Sequence, residues 1–312
     1  MINIRSMLIF VVVFVLLGHH VPIRAATTYS VSENISYFGW LDQYSLNTAT
    51  YNYVGPEACV PTCATNAMTY LQNLAPGTFG TLLTGTTYES WMTTDALLAS
   101  SNYMDTSPAS GTYYNHIPYA LNKYLVTDKG FASVQFSGMF ESFQWTDFPY
   151  NKPSYITDGT PTTAFLLNAL TENKATLISI KYGTGGGHEL LASGLNWTDS
   201  NDDGVIQEAE NAVLYFVDPL DSSATYTDGQ PSGGAKFTQG HIWNSGALST
   251  SELKLNYNQY GGSLPYSGGN YSYTGLTTIN TAFVIAVPEP SAGLLMLGGL
   301  STLFVFGWRR QK

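Results

Sequence analysis

The chain has 312 residues, of which 44% are hydrophobic and only 11% charged, with 22 tyrosines and a formal net charge of −10. That length accommodates one large domain or two small ones. An acidic chain without a basic patch argues against nucleic-acid binding, and two cysteines are too few for a disulfide-stapled scaffold.

In chain order, the first segment reads as an address. Arg5 precedes the apolar run from Leu8 to Leu17, and Ile23-Arg24-Ala25-Ala26 follows with small residues suited to cleavage. This is the layout of a signal peptide over residues 1–26. The competing reading, a membrane anchor, needs ~20 apolar residues and this run is shorter.

Residues 27–54 are rich in Tyr, Asn, Ser and Thr, with a strand expected over Ile35 to Trp40. Gly55-Pro56 then introduces Glu57-Ala58-Cys59-Val60-Pro61, and apolar residues recur at Ala64, Ala67, Met68 and Leu71. A proline in the first turn and this spacing predict a helix that starts at Cys59 and stops before Pro76-Gly77. Backbone N–H groups and the helix dipole favour a thiolate there. A buried structural cysteine is the equally weighted alternative. Cys63 lies one helical turn on, within disulfide range by Cα separation. Outside the cytoplasm two close cysteines can also pair, although a bridge inside a helix is strained.

Further helices are expected over 87–104, 117–125 and 160–173, and strands over 132–136, 175–182 and 281–286. Gly185-Gly186-Gly187 leads into His188 and a strand; after an acidic loop, a second strand ends in Val217-Asp218-Pro219. If these strands pair antiparallel, His188 and Asp218 lie side by side. A histidine oriented by a carboxylate is the base half of a nucleophilic triad, and Cys59 is the available nucleophile. His116 follows an asparagine rather than a glycine, and neither it nor His241, which follows Gly240, opens a strand with an Asp-Pro ending the next. Three scattered histidines offer no zinc site. No repeat or linker divides 27–286, so one α+β domain is expected, helix-rich first and strand-rich second.

The loop Asp199 to Glu210 matches the calcium-loop template D-x-[DN]-x-[DN]-G-x₅-E at each specified position. Its oxygen donors would be Asp199, Asn201, Asp203, the Val205 carbonyl, Gln207 and a bidentate Glu210, with Gly204 at the sharp turn. An acidic, solvated hairpin loop is the competing reading. A bound calcium ion would be structural, pinning the hairpin that carries His188 and Asp218.

At the far end, Val287-Pro288-Glu289-Pro290 precedes an apolar stretch from Ala292 to Trp308 and then Arg309-Arg310-Gln311-Lys312. Over residues 287–312 this resembles the PEP-CTERM sorting signal of Gram-negative bacteria. The resemblance implies an exosortase-type processing enzyme as a partner, a membrane span before processing, and delivery to the cell surface. A plain C-terminal anchor would give the same orientation, since basic residues after the span stay cytoplasmic.

The order of cysteine at a helix start, histidine opening a strand and aspartate ending the next resembles papain-like cysteine peptidases. The bacteriocin-processing peptidases share Cys59-Val60-Pro61, the Gly187-His188 pair followed by Gly194, and Asp218-Pro219. The IdeS-type peptidases share an Asn seven residues after the cysteine, here Asn66. The resemblance implies a papain-like fold and hydrolysis of a protein or peptide substrate. Cys59 would be nucleophile, His188 general base and Asp218 its orienter. Tyr53 stands where papain has its oxyanion-hole Gln, leaving Gln43 or Asn52 to supply a side-chain donor, with Gln43 favoured. The alternatives are an inactive, calcium-stabilised surface or matrix protein of the same fold, and a transglutaminase-like acyl transferase.

Overall fold

The computed structural model describes residues 25–46, 54–83, 85–141, 151–171, 174–182, 186–220, 226–227, 230–231, 236–245, 252–258 and 274–286. Nine strands form one sheet: β1 (Thr27–Ser32), β2 (Gln135–Phe140), β3 (Ile156–Asp158), β4 (Ala175–Tyr182), β5 (Gly187–Asp199), β6 (Val213–Asp218), β7 (Lys236–Ser245), β8 (Glu252–Asn258) and β9 (Thr274–Ala286). Strands β4 to β9 pair antiparallel in a ring, β4–β5–β6–β7–β8–β9 and back to β4. Closure of this kind removes exposed edges. The two longest strands make it possible. β5 pairs with β4 along its first half and β1 along its second; β9 does the same with β8 and β2.

Alternation along these strands sorts two cores. Ile178, Ile180, Leu190, Ala192, Leu214, Phe216, Ile242, Leu253 and Leu255 cluster on one face of the ring, together with Leu166 and Leu170 of helix Thr163–Thr171. Leu177, Leu191, Val217, Phe283 and Ile285 occupy the opposite face and pack on the helix Cys59–Leu74, named α1 here. Successive side chains of a strand point to opposite faces, so one ring serves both cores. Helices α2 (Tyr88–Ala99) and α3 (His116–Asn122) also contribute to the second core, through Leu98, Ile117 and Leu121.

The α+β class stands, with a large sheet and few helices, and the fold is more β-rich than expected. Strands β1 and β2, from the first half of the chain, and β3, at its midpoint, join the same sheet as the later strands. The expected strand over Ile35 to Trp40 is a 3-10 turn, Ile35–Tyr37, capped by the Asn34 side chain. The first strand lies earlier, at Thr27–Ser32, where alternating exposure marks an edge position. Among the described residues no helix is long and apolar enough to cross a membrane. The expected signal peptide, apart from Ala25 and Ala26, and the apolar stretch 292–308 lie outside the described residues.

Gly194 sits where the β5–β6 register shifts and β1 approaches. A Cβ there would meet the Val31 carbonyl oxygen at 2.6 Å and the Ser32 Cα at 3.2 Å. Backbone cannot swing aside as a side chain does, so Gly194→Ala should cost about 1–3 kcal/mol of stability. A denaturant titration that left the unfolding midpoint unchanged would contradict this account.

Candidate active site

Helix α1 begins where the sequence places it. The turn Gly55–Glu57 closes through the Ala58 N–H to the Gly55 carbonyl, and the helix runs on from Cys59. Pro61 lies in the first turn, where a missing N–H removes no intrahelical bond. Cys59 is half-buried and Cys63 fully buried, and both are free thiols. The Cys63 S–H donates to the Glu189 carbonyl at 3.3 Å. Burial, reinforced by the negative charge of Glu189, pushes the Cys63 thiol well above its ordinary range. Of the two cysteines, Cys63 is therefore the inert one.

Cys59, His188 and Asp218 converge. His188 opens β5, Asp218 closes the adjacent β6, and Nε2 of the imidazole lies 2.7 Å from Asp218 Oδ1. The Cys59 side chain lies near enough to the same imidazole to help raise it. Burial opposes charge on His188, but the Asp218 carboxylate outweighs it, and the imidazole is raised to about 10. Asp218 itself has no solvent exposure. Its Oδ1 also accepts the Leu220 N–H at 2.9 Å, and Oδ2 accepts the Tyr257 hydroxyl at 2.7 Å. The Tyr257 hydroxyl is held as a donor, because burial and the neighbouring carboxylate raise it well above the ordinary tyrosine range.

Gln43 opens the 3-10 turn Gln43–Leu46, is buried, and donates its backbone N–H to the Pro219 carbonyl at 2.8 Å. This turn packs on the Gly55–Glu57 turn that precedes Cys59. Gln43 is thus brought to the same end of α1 as Cys59 and next to the Asp218-Pro219 corner. Asn52 and Tyr53 lie outside the described residues.

Three residues at this site carried no sequence signal. Tyr257 comes from β8, far along the chain, and nothing in its neighbourhood marks it. Tyr114 explains the glycine before His188: a Cβ on Gly187 would meet its hydroxyl at 2.1 Å and the Ile180 carbonyl at 2.6 Å. Glu189 follows His188 but faces the opposite side of β5, where its carboxylate accepts Ser179 Oγ at 2.5 Å, itself bonded to Thr281. Its other oxygen is buried without a hydrogen-bond partner among the described residues. Burial pushes the Glu189 carboxyl up to about 8.

In the loop from Asp199 to Glu210 the acidic side chains are met by donors of the loop itself. Asp199 accepts the N–H groups of Asp203 and Gly204, Asp203 accepts that of Val205, and Gly204 has φ +74°. Asn201 and Gln207 both donate to Asp203 Oδ2. Glu210 points elsewhere: its two oxygens accept Ser200 N–H, Ser200 Oγ, Trp197 Nε1 and Gln207 N–H. Four donors fill the four acceptor positions of a carboxylate. Among the described residues no three His, Cys, Asp or Glu side chains are grouped to hold a metal. The loop also sits at the opposite end of the β5–β6 hairpin from His188 and Asp218, at strand rise up to about 35 Å from His188 and up to about 27 Å from Asp218.

Residues 286–311 match the PEP-CTERM protein-sorting motif. The tail is therefore a signal for export and sorting, of the kind an exosortase-type enzyme recognises. No curated protein matches the chain.

Two measurements follow from the buried groups. Tyr257→Phe removes one donor from a fully buried carboxylate and should cost about 1–3 kcal/mol, read as a lower unfolding midpoint; no change would mean that the bond carries no weight. Glu189 and His188 are both raised in the fold, from 4.5 to about 8 and from 6.5 to about 10. Each stabilises the folded state below its unfolded value, and that contribution is lost as pH rises through the folded one. Stability should thus decline from pH 4.5 to about 8 on account of Glu189, and from 6.5 to about 10 on account of His188. Glu189→Gln should flatten the first decline only. A pH–stability profile that rises over this range would overturn the assignment.

Proposed function

We propose that the domain between the two sorting segments is an exported cysteine peptidase of papain-like type, acting on a protein or peptide substrate at or beyond the outer face of the cytoplasmic membrane. The observation that carries the proposal is the convergence of Cys59, His188 and Asp218 from a helix start, a strand start and a strand end. Cys59 and His188 form the nucleophile–base pair, and Asp218, fixed by Leu220 and Tyr257, orients the imidazole.

In the reaction the Cys59 thiolate adds to the peptide carbonyl and negative charge develops on its oxygen. The free N–H groups at the start of α1 and the Gln43 side chain are the donors assigned to that charge. As the C–N bond breaks, His188 passes its proton to the leaving amine, and Cys59 is left as a thioester. His188 then takes a proton from water as the water attacks, and the acid product leaves with the thiol restored. Tertiary architecture supports a papain-like arrangement in two respects: a nucleophile helix packed on an antiparallel sheet, and a base and its orienter on adjacent strands.

The calcium reading of residues 199–210 belongs to the same proposal as a structural element. Asp199, Asn201, Asp203, the Val205 carbonyl and Gln207 would hold the ion, and Glu210 would join them by giving up its four protein donors. One of those donors is Trp197 Nε1, so calcium binding should change Trp197 emission and raise the melting temperature. Titration with calcium chloride that alters neither would remove the ion from the proposal.

The enzyme reading is tested on Cys59 directly. Iodoacetamide should label Cys59 rapidly near neutral pH and leave Cys63 untouched, as read by peptide mass spectrometry. His188→Ala should slow that labelling about tenfold or more, and Cys59→Ala should abolish hydrolysis of any substrate found. Slow labelling that ignores His188 would sink the peptidase reading and favour a non-catalytic surface protein of the same fold.

A further inference from the structure

We infer that Asn66 is a positioning residue for the oxyanion site, acting through a strap of chain, Gly39 to Gln43, that ties the nucleophile helix to the aspartate corner. The inference rests on the peptidase reading above. Asn66 lies inside α1, two helical turns beyond Cys59, and has no solvent exposure. Its side-chain amide pairs with both backbone groups of a single residue: Oδ1 accepts the Leu41 N–H at 2.9 Å, and Nδ2 donates to the Leu41 carbonyl at 3.0 Å. Its own main-chain carbonyl accepts the Gly39 N–H at 3.2 Å. A helix carbonyl and a side-chain amide therefore grip the strap in three places.

Two residues after Leu41, the strap reaches Gln43, whose N–H is fixed to the Pro219 carbonyl. Two residues span about 7 Å at most, so a displacement at Leu41 arrives at Gln43 nearly undiminished. The helix is a rigid rod of 1.5 Å rise per residue, which places clamp and nucleophile about 10 Å apart on one body. Asn66 thus holds Gln43 in register with Cys59, while Pro219 holds it in register with Asp218. Close approach is built in on the strap side as well. A Cβ on Gly39 would meet Asn66 Oδ1 at 2.5 Å, Asn66 Cα at 2.8 Å and Thr69 Oγ1 at 2.9 Å.

A merely structural asparagine and a positioning one can be told apart by two reactions of the same sulfur. Iodoacetamide alkylates Cys59 by displacing iodide from a saturated carbon, and no oxyanion forms. p-Nitrophenyl acetate acetylates Cys59 through a tetrahedral oxyanion, expelling p-nitrophenolate, and so needs the donor. In the full-length protein, Asn66→Ala should slow the p-nitrophenolate burst roughly 10- to 100-fold, the scale of one lost oxyanion donor, while alkylation stays within about twofold. Gly39→Ala attacks the same contact from the strap side and should reproduce the split if Asn66→Ala fails to fold. Gln43→Ala should match both.

Parallel loss of both rates would make Asn66 a general support of the fold and overturn the inference. So would an unchanged burst in Asn66→Ala or Gln43→Ala. Failure of the underlying peptidase reading shows separately, in the unmodified protein, as slow alkylation that His188→Ala does not alter.

Discussion

The structure depends on one unusual burial: α1 is enclosed on every side, with all residues from Val60 to Gln72 out of solvent. Four of those are threonine or asparagine, so the helix brings hydroxyl and amide groups into a core where an unpaired one costs about 1–3 kcal/mol. Each finds a partner in a way that shapes the fold. Thr65 and Thr69 bond back to carbonyls one turn earlier, Thr62 donates to Asp95 of α2, and Asn66 takes the backbone of Leu41. The apolar side chains of the same helix, Ala64, Ala67, Met68 and Leu71 among them, belong to the core that covers one face of the ring. Sheet, second helix and N-terminal strap are thereby all located by a single element, and its N-terminus is left facing His188.

That arrangement concentrates ionisable groups at one end of α1. Asp218 is satisfied by three donors drawn from β5, β8 and its own corner, and its charge holds His188 cationic despite burial. Glu189, one residue along β5, faces the other side and is pushed towards the neutral acid by the same burial. Adjacent residues on a strand thus meet opposite electrostatic environments, because the pleat sends them to opposite faces. Glu57, two residues before Cys59, is half-buried and also feels the His188 charge. Carboxyl groups therefore lie around the imidazole, and of these Asp218 accepts its hydrogen bond.

Legibility in the sequence followed distance along the chain. The start of α1 was readable because Gly55-Pro56 and Pro61 act within a few residues of it, and its stop because Pro76 does. The pairing of His188 with Asp218 was readable because the two belong to one hairpin. The strand expected at Ile35 to Trp40 failed for the converse reason. Its aromatic content suits a strand, but its apolar surface is needed against α1, where Phe38 stacks on Tyr70 and Gly39 bonds to Asn66. In the calcium-like loop, the pattern of oxygen donors shows in the chain. The commitment of Glu210 to Trp197 and Ser200 does not, since it depends on how β5 ends.

By itself the sequence determined the C-terminal sorting signal, the helix that presents Cys59, and the hairpin that sets His188 beside Asp218, all of them features written in contiguous residues. Only the tertiary structure decided that six strands close into a ring, that Tyr257 secures Asp218, and that Asn66 binds the strap carrying Gln43. Those contacts join segments dozens of residues apart. They are favoured because a buried polar group without a partner is costly, and no local pattern encodes which partner it will be.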